Sequence, residues 1–218
     1  MRISVCAFTL CSILSACGNA EEPYKPVAAW AGARPSLPSP PSLSVVPLKN
    51  GDAYTVAGAI HALRSRVHEK EMTGQKITLI GTIVDSNLAD APACALHPTG
   101  VKDKPECTTD LPSFSIADTK DGEKAIKVLG WASNFANVYD GQISCRSGRK
   151  HRDDKLEVEL PCPLPAIGSR VKITGEYGFS YRAAGGVASD PASGILTYAS
   201  METVEPASKA AVLGGGKK

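Results

Sequence analysis

Two stretches of two-residue alternation, each carrying one internal glycine, constrain the fold of this chain more than any other feature. In Lys76-Ile-Thr-Leu-Ile-Gly-Thr-Ile-Val84, Ile77, Leu79 and Ile83 share one face and Gly81 stands in the middle. In Arg170-Val-Lys-Ile-Thr-Gly-Glu-Tyr177, Val171, Ile173 and Tyr177 oppose Arg170, Lys172, Thr174 and Glu176, with Gly175 inside. Successive strand side chains point to opposite faces, so each stretch reads as a strand with one buried face. A glycine within such a strand permits a sharp coil or the close approach of another backbone.

Three further strands follow from the same period: Ser113 to Asp118 through Phe114 and Ile116, Ala125 to Trp131 through Ile126 and Val128, and Gly194 to Val204. Between the third and fourth, Ser133 to Tyr139 predicts a short helix with Phe135, Val138 and Tyr139 on one side. Ahead of all five, Val56, Ala59, Ile60, Leu63 and Val67 recur at helical spacing, after two candidate caps at Asp52 and Thr55. The pattern predicts an amphipathic helix that ends near Gly74. His61 and His68, on or beside it, have no neighbouring ligand set in the sequence and read as surface or helix-edge residues.

Five strands with a helix between the third and the fourth resemble the order of the OB-fold, a small Greek-key barrel. The phrases KITLIGTIVDSN and GSRVKITGEYG are similar to the first and fourth strands of OB-fold domains, including those of bacterial secreted proteins and of anticodon-binding type. The resemblance spans residues 76 to 205. It implies a mainly β fold class: a five-stranded OB-fold-like barrel with an N-terminal amphipathic helix.

The start of the chain has the parts of a secretory signal: Arg2, an apolar run from Ile3 to Leu14, then small residues. Leu14-Ser15-Ala16-Cys17 resembles the bacterial lipobox. By that resemblance residues 1–16 are a removed signal peptide, and Cys17 is lipidated on sulfur and acylated on its new amine. Gly18, rather than Asp, follows the cysteine, which under the sorting pattern of many Gram-negative lipoproteins favours the outer membrane. Residues 17–50 then carry the anchor site and a linker with prolines at 23, 26, 35, 38, 40, 41 and 47. Such a composition cannot build a core and favours extended polyproline II geometry. The domain is expected over 51–206, and 207–218 (ASKAAVLGGGKK) reads as a flexible tail.

Four cysteines fall within the domain, Cys94 with Cys107 and Cys145 with Cys162, each pair bracketing an insertion between predicted elements. Export and an even count favour disulfides. Three connectivities are open; nearest-neighbour pairing is preferred because each bond then closes one long loop at its base. The alternative is a metal-handling loop built from Cys94, His97 and Cys107, since Cys-x-x-His is a spacing that zinc accepts, though a fourth ligand is missing.

The formal net charge is +2, and loss of Arg2 leaves +1, a balance that does not point to nucleic acid. Arg146-Ser-Gly-Arg-Lys-His-Arg152 is the one basic cluster, and Asp153 and Asp154 follow it at once. Single-strand binding on OB-folds uses exposed aromatics as stacking platforms, for which Phe114 and Trp131 are the candidates; both read equally well as core. Ser169-Arg-Val-Lys172 matches Ser-x-x-Lys in letters, but strand residues three apart face opposite sides. No catalytic motif, cofactor site or metal set is assigned from the sequence. The reading is a membrane-anchored envelope lipoprotein acting as a non-catalytic binding or assembly module. Its expected partners are the membrane, through the anchor, and an envelope protein or glycan; an envelope enzyme with dispersed site residues is the other reading.

Overall fold

The computed structural model describes residues 47–96, 106–183 and 186–214. All of them belong to the unit Ser44–Lys218. The fold is mainly β. Its strands are β1 (Lys49–Asn50), β2 (Ala53–Thr55), β3 (Gln75–Ser86), β4 (Phe114–Ala117), β5 (Ala125–Leu129), β6 (Arg152–Asp153), β7 (Val158–Glu159), β8 (Arg170–Gly178), β9 (Ser180–Ala183), β10 (Gly186–Ser189) and β11 (Ile195–Glu205). The helices are α1 (Val56–Arg64), α2 (Glu69–Met72) and α3 (Phe135–Arg146), with 3-10 turns at Asn87–Asp90 and Ala93–Ala95.

Seven strands form one mixed sheet in the order β1-β2-β3-β4-β5-β11-β8, and β3 also pairs with β8. Five strands therefore pair in a cycle. β3 runs antiparallel to β8 from Gln75 opposite Tyr177 to Thr82 opposite Arg170, then turns its far end to β4, with Ser86 opposite Phe114. β4 and β5 are antiparallel, β5 and β11 parallel, β11 and β8 antiparallel. β3 can serve three neighbours, with β2 beside Leu79 and Ile80 as well as β8 and β4, because it is 12 residues long and its register with β4 shifts between Ile83 and Asp85, a local irregularity of the kind that bends a strand. The two internal glycines lie where backbones crowd. A Cβ on Gly175 would stand 2.2 Å from the Thr197 carbonyl oxygen, and one on Gly81 2.8 Å from that of Ala117.

The five predicted strands are all present within a few residues of their expected ends. Their alternating faces build the core: Ile77, Leu79, Ile83, Phe114, Ile116, Ile126, Val128, Val171, Ile173 and Tyr177 are all buried in one cluster. Phe114 meets Trp131 edge to face, ring centres 5.9 Å apart, the arrangement that the charge distribution of aromatic rings favours. α1 contributes Val56, Ala59, Ile60 and Leu63 to the same cluster, and α3 contributes Phe135 and Val138.

Two helix expectations need correction. The first helix stops at Arg64, where Ser65 turns extended and donates its amide to the Ala62 carbonyl. Val67, expected on the apolar stripe, is 75% exposed, and it is Met72 of α2 that returns to the core. Thr55 is the cap, accepting from the Gly58 amide at 3.0 Å; Asp52 instead lies 3.8 Å from the Lys172 ammonium. The second helix runs on to Arg146, past the point where its apolar spacing ends. Gly141 lets it lie against Leu160, whose Cδ2 would be 2.7 Å from a Cβ there.

The ends of the domain also differ from expectation. Pro47 to Asn50, assigned to the linker, is part of the fold: β1 pairs with β2, and the Thr55 hydroxyl donates to the Pro47 carbonyl at 2.7 Å. Ala207 to Gly214, assigned to the tail, lies along the domain. The Ala207 amide donates to Ser169 Oγ at 3.0 Å, the Gly214 amide to the Leu88 carbonyl at 2.8 Å, and Ala211 and Leu213 pack on the core cluster. A Cβ on Gly214 would stand 2.4 Å from the Ala91 carbonyl oxygen, so this contact is made by backbone against backbone.

Candidate functional site

The cysteines pair as nearest neighbours. Cys94 is bonded to Cys107 and Cys145 to Cys162, with Cα separations of 5.9 and 5.6 Å. Sulfurs joined to each other are not thiolates and cannot serve as the metal ligands of the Cys94, His97 and Cys107 alternative. His97 and Cys17 lie outside the described residues.

The second disulfide ties the end of α3 to the segment before β8, and the loop between them is organised by Asp153. This side chain is fully buried. Its Oδ2 accepts from the Ser133 amide at 2.7 Å, and its Oδ1 from the Lys155 and Leu156 amides at 2.9 and 3.1 Å. Burial pushes the carboxyl up, but the hydrogen bonds from the Ser133 amide and hydroxyl and from Lys155 and Leu156 outweigh it, holding the group below the ordinary carboxylate range. The carboxylate is a fastener between the turn after β6 and the start of α3.

The residues of the basic cluster are exposed apart from His151, and Lys150 is ion-paired. Arg146 ends α3, the Lys150 ammonium bonds to Glu159 at 2.7 Å, and Arg152 sits in β6 opposite Glu159. His151 is half-buried, with an Nε2 that has no hydrogen-bond partner among the described residues. Phe114 and Trp131 are buried and present no stacking surface. Ser169 is buried and Lys172 reaches toward Asp52, so the two do not meet. Burial raises the hydroxyl pKa values of Tyr177 and Tyr198 well above the ordinary phenol value, with the charges of Asp190 and Glu159 adding to the effect. These hydroxyls donate to the Ser193 and Glu159 carbonyls at 2.5 and 3.2 Å. The Asp153 carboxylate and the Tyr177 and Tyr198 hydroxyls are spent on holding the fold, whereas Nε1 of Trp131, like Nε2 of His151, is buried without a hydrogen-bond partner among the described residues.

What remains open is a cavity of about 330 Å³ at the end of β3. One wall is Ser86, Leu88 and Ala89, where β3 passes into its 3-10 turn; the second is Pro165 and Ile167, ahead of β8; the third is Lys209 to Val212. The walls are fixed by backbone bonds. The Gly168 amide donates to the Ile83 carbonyl at 2.8 Å and the Ile83 amide to the Ser169 carbonyl at 2.9 Å, while Ala207 and Gly214 pin the third wall as described above. A smaller cavity of about 190 Å³, bordered by Lys120, Gly168 and Ser208, adjoins it across the shared side chain of Ile167.

None of these cavity residues was assigned a role from the sequence. The available signal was the apolar run Ala-Ala-Val-Leu213 inside a segment otherwise rich in glycine and lysine. Solvated tails have little use for such a run.

No family model matches the chain, and no curated protein matches it. Among solved structures, one similar chain is described as an aspartyl-tRNA synthetase from Leishmania major Friedlin. It has 9% sequence identity and a TM-score of 0.34 over 74% of this chain and 23% of that one. At that score the likeness bears on neither fold family nor activity.

Proposed function

We propose that this chain is an envelope lipoprotein, anchored by a lipidated Cys17 and sorted to the outer membrane, whose OB-fold-like domain is a non-catalytic binding module. The cycle of five pairings, with the parallel β5–β11 pair and α3 between β5 and β8, supports the OB-fold reading. One observation carries the binding role. The cavity beside β3 is lined mostly by apolar side chains, of which Ile167 and Val212 stay open to solvent, while the Asp153 carboxylate and the Tyr177 and Tyr198 hydroxyls are bonded within the fold. Pockets of this size, mostly apolar with a few polar groups at the edge, are the usual setting for a small ligand. The proposed partners are the membrane, through the anchor, and an envelope protein or glycan.

The anchor is tested by metabolic labelling with an alkynyl fatty acid. Wild type should label and sediment with membranes, and Cys17→Ser should do neither; a serine variant that still labels sinks the lipoprotein reading. The binding role is tested by capture from detergent-solubilised envelopes. A species retained by wild type and lost with Ile167→Asp supports it, and retention unchanged by that substitution counts against the cavity as the site.

A further inference from the structure

The shape and charge of the paired cavities narrow the ligand class, on the assumption that the domain is a binding module. Seven of the nine residues lining the larger cavity are alanine, leucine, isoleucine, valine or proline. Of the other two, Ser86 has its hydroxyl engaged by the Leu88 amide. The remaining one is Lys209. A peptide placed here would bring amides and carbonyls to walls of aliphatic carbon, and buried polar groups without partners are costly. An acyl chain brings none. The wall also continues outward: Ile167 is 58% and Val212 69% exposed, and exposed large apolar side chains grouped around one opening mark an interaction site.

The smaller cavity differs. Lys120, Gly168 and Ser208 line it together with Ile83, Val84 and Ile167, the last shared with the larger cavity. Among the described residues, no carboxylate lies within 4.0 Å of the ammonium of either Lys120 or Lys209. An apolar chamber flanked by two cations without counterions is complementary to an anion with a hydrocarbon tail.

We propose that the two cavities together bind a single-chain anionic amphiphile: a medium-length acyl chain lies along Leu88, Pro165, Ile167 and Val212, and its carboxylate is held between Lys120 and Lys209. Hydrophobic transfer then sets the affinity and the lysines set the preference for an anion.

The test uses the full chain reconstituted in phosphatidylcholine vesicles and a photoreactive decanoate, with adducts mapped by peptide sequencing. Adducts are expected on the segments 165–168 and 209–213. Unlabelled hexanoate, octanoate and decanoate should compete with affinities that rise about fourfold per added methylene. Lys120→Glu and Lys209→Glu should each weaken decanoate labelling about fivefold and leave labelling by a photoreactive decanol unchanged. Ile167→Asp should abolish labelling by both probes; because Ile167 is exposed, its melting temperature should match wild type. Adducts scattered over the surface, competition independent of chain length, or decanol labelling the lysine variants and wild type no differently from decanoate would each overturn the proposal. If decanoate labelling fails at the cavity while Ile167→Asp still abolishes capture from envelopes, the amphiphile inference falls and the binding-module reading stands. Loss of both results removes both.

Discussion

The carboxylate of Asp118, at the end of β4, accepts the backbone amide of Val56 at 2.8 Å through one oxygen and that of Ala57 at 2.8 Å through the other. These residues are 62 and 61 positions apart in the chain. The first amides of a helix have no partner inside it, and the helix dipole favours negative charge there. Asp118 thus does for α1 what a local cap cannot: it fixes the helix to the sheet. Asp118→Ala should lower unfolding free energy by about 1–2 kcal/mol, read from urea denaturation. Asp118→Asn, which retains an acceptor, should lose less, and equal losses for the two would mean that the carboxylate is not holding both amides.

Gly58 sets two effects of opposite sign against each other. Glycine to alanine within a helix ordinarily stabilises by about 1 kcal/mol. Here a Cβ would stand 2.1 Å from the Leu48 carbonyl oxygen, which also accepts the Thr55 amide at 3.1 Å. Backbone cannot yield as a flexible side chain can, so Gly58→Ala should destabilise. Faster hydrogen exchange at the Thr55 amide would show the Pro47 to Asn50 segment lifting away; a raised melting temperature would show that this segment contributes nothing.

Asp153 gives the fold an acid limit. A carboxyl held below its unfolded value contributes stability that is present above about pH 3.9 and is lost as pH falls through the folded value. Asp153→Asn should cost about 1–3 kcal/mol at neutral pH, because an amide NH₂ cannot accept from Ser133. It should also flatten the decline in stability below pH 4. Acid unfolding identical to wild type would reassign that limit to other carboxylates.

Tyr177 and Tyr198 set the opposite limit. With hydroxyl pKa values raised by burial, their contribution is present below about pH 10, the ordinary phenol value, and lost as pH rises toward the folded values. Tyr177→Phe keeps the ring in the core and removes the hydroxyl bond to Ser193. It should shift alkaline unfolding upward in pH while lowering neutral stability by about 1 kcal/mol; unchanged alkaline behaviour would count against Tyr177 as a contributor.

Replacing Cys145 and Cys162 together by serine should remove about 3 kcal/mol, the chain-entropy value for a loop of this size. The far-ultraviolet signature of the sheet should remain, since the bond closes an insertion and joins no two strands of the five-strand cycle. Amides of Lys155 and Leu156 should exchange faster, reporting the turn that Asp153 fastens. Collapse of the whole sheet signal would mean that the insertion is part of the cooperative core.

The sequence by itself marked, through alternation, the five strands of the cycle and the side chains they bury together, and it favoured the disulfide partners; β1, β2, β6, β7, β9 and β10 carry no such pattern. Alternation is a local property: Val171, Ile173 and Tyr177 face the core because a strand has no other way to hide them together. Short loop closure favoured pairing of the cysteines that flank one insertion, and the structure chose it among three connectivities. Where Val67 would go was beyond this logic, because spacing marks an apolar face without saying how many turns the core can cover. The tertiary structure alone decided the long-range cap by Asp118 and the cavity. Asp118 reaches α1 only once β4 lies beside it, and Ile167 borders one cavity with Val212 and a second with Lys120 only after the end of β3, the β4–β5 connection, the segment before β8 and residues 207–214 converge. A site assembled from segments so far apart has no period or spacing of its own. Its geometry is set by how the sheet closes and by which backbone groups are left to tie down the end of the chain.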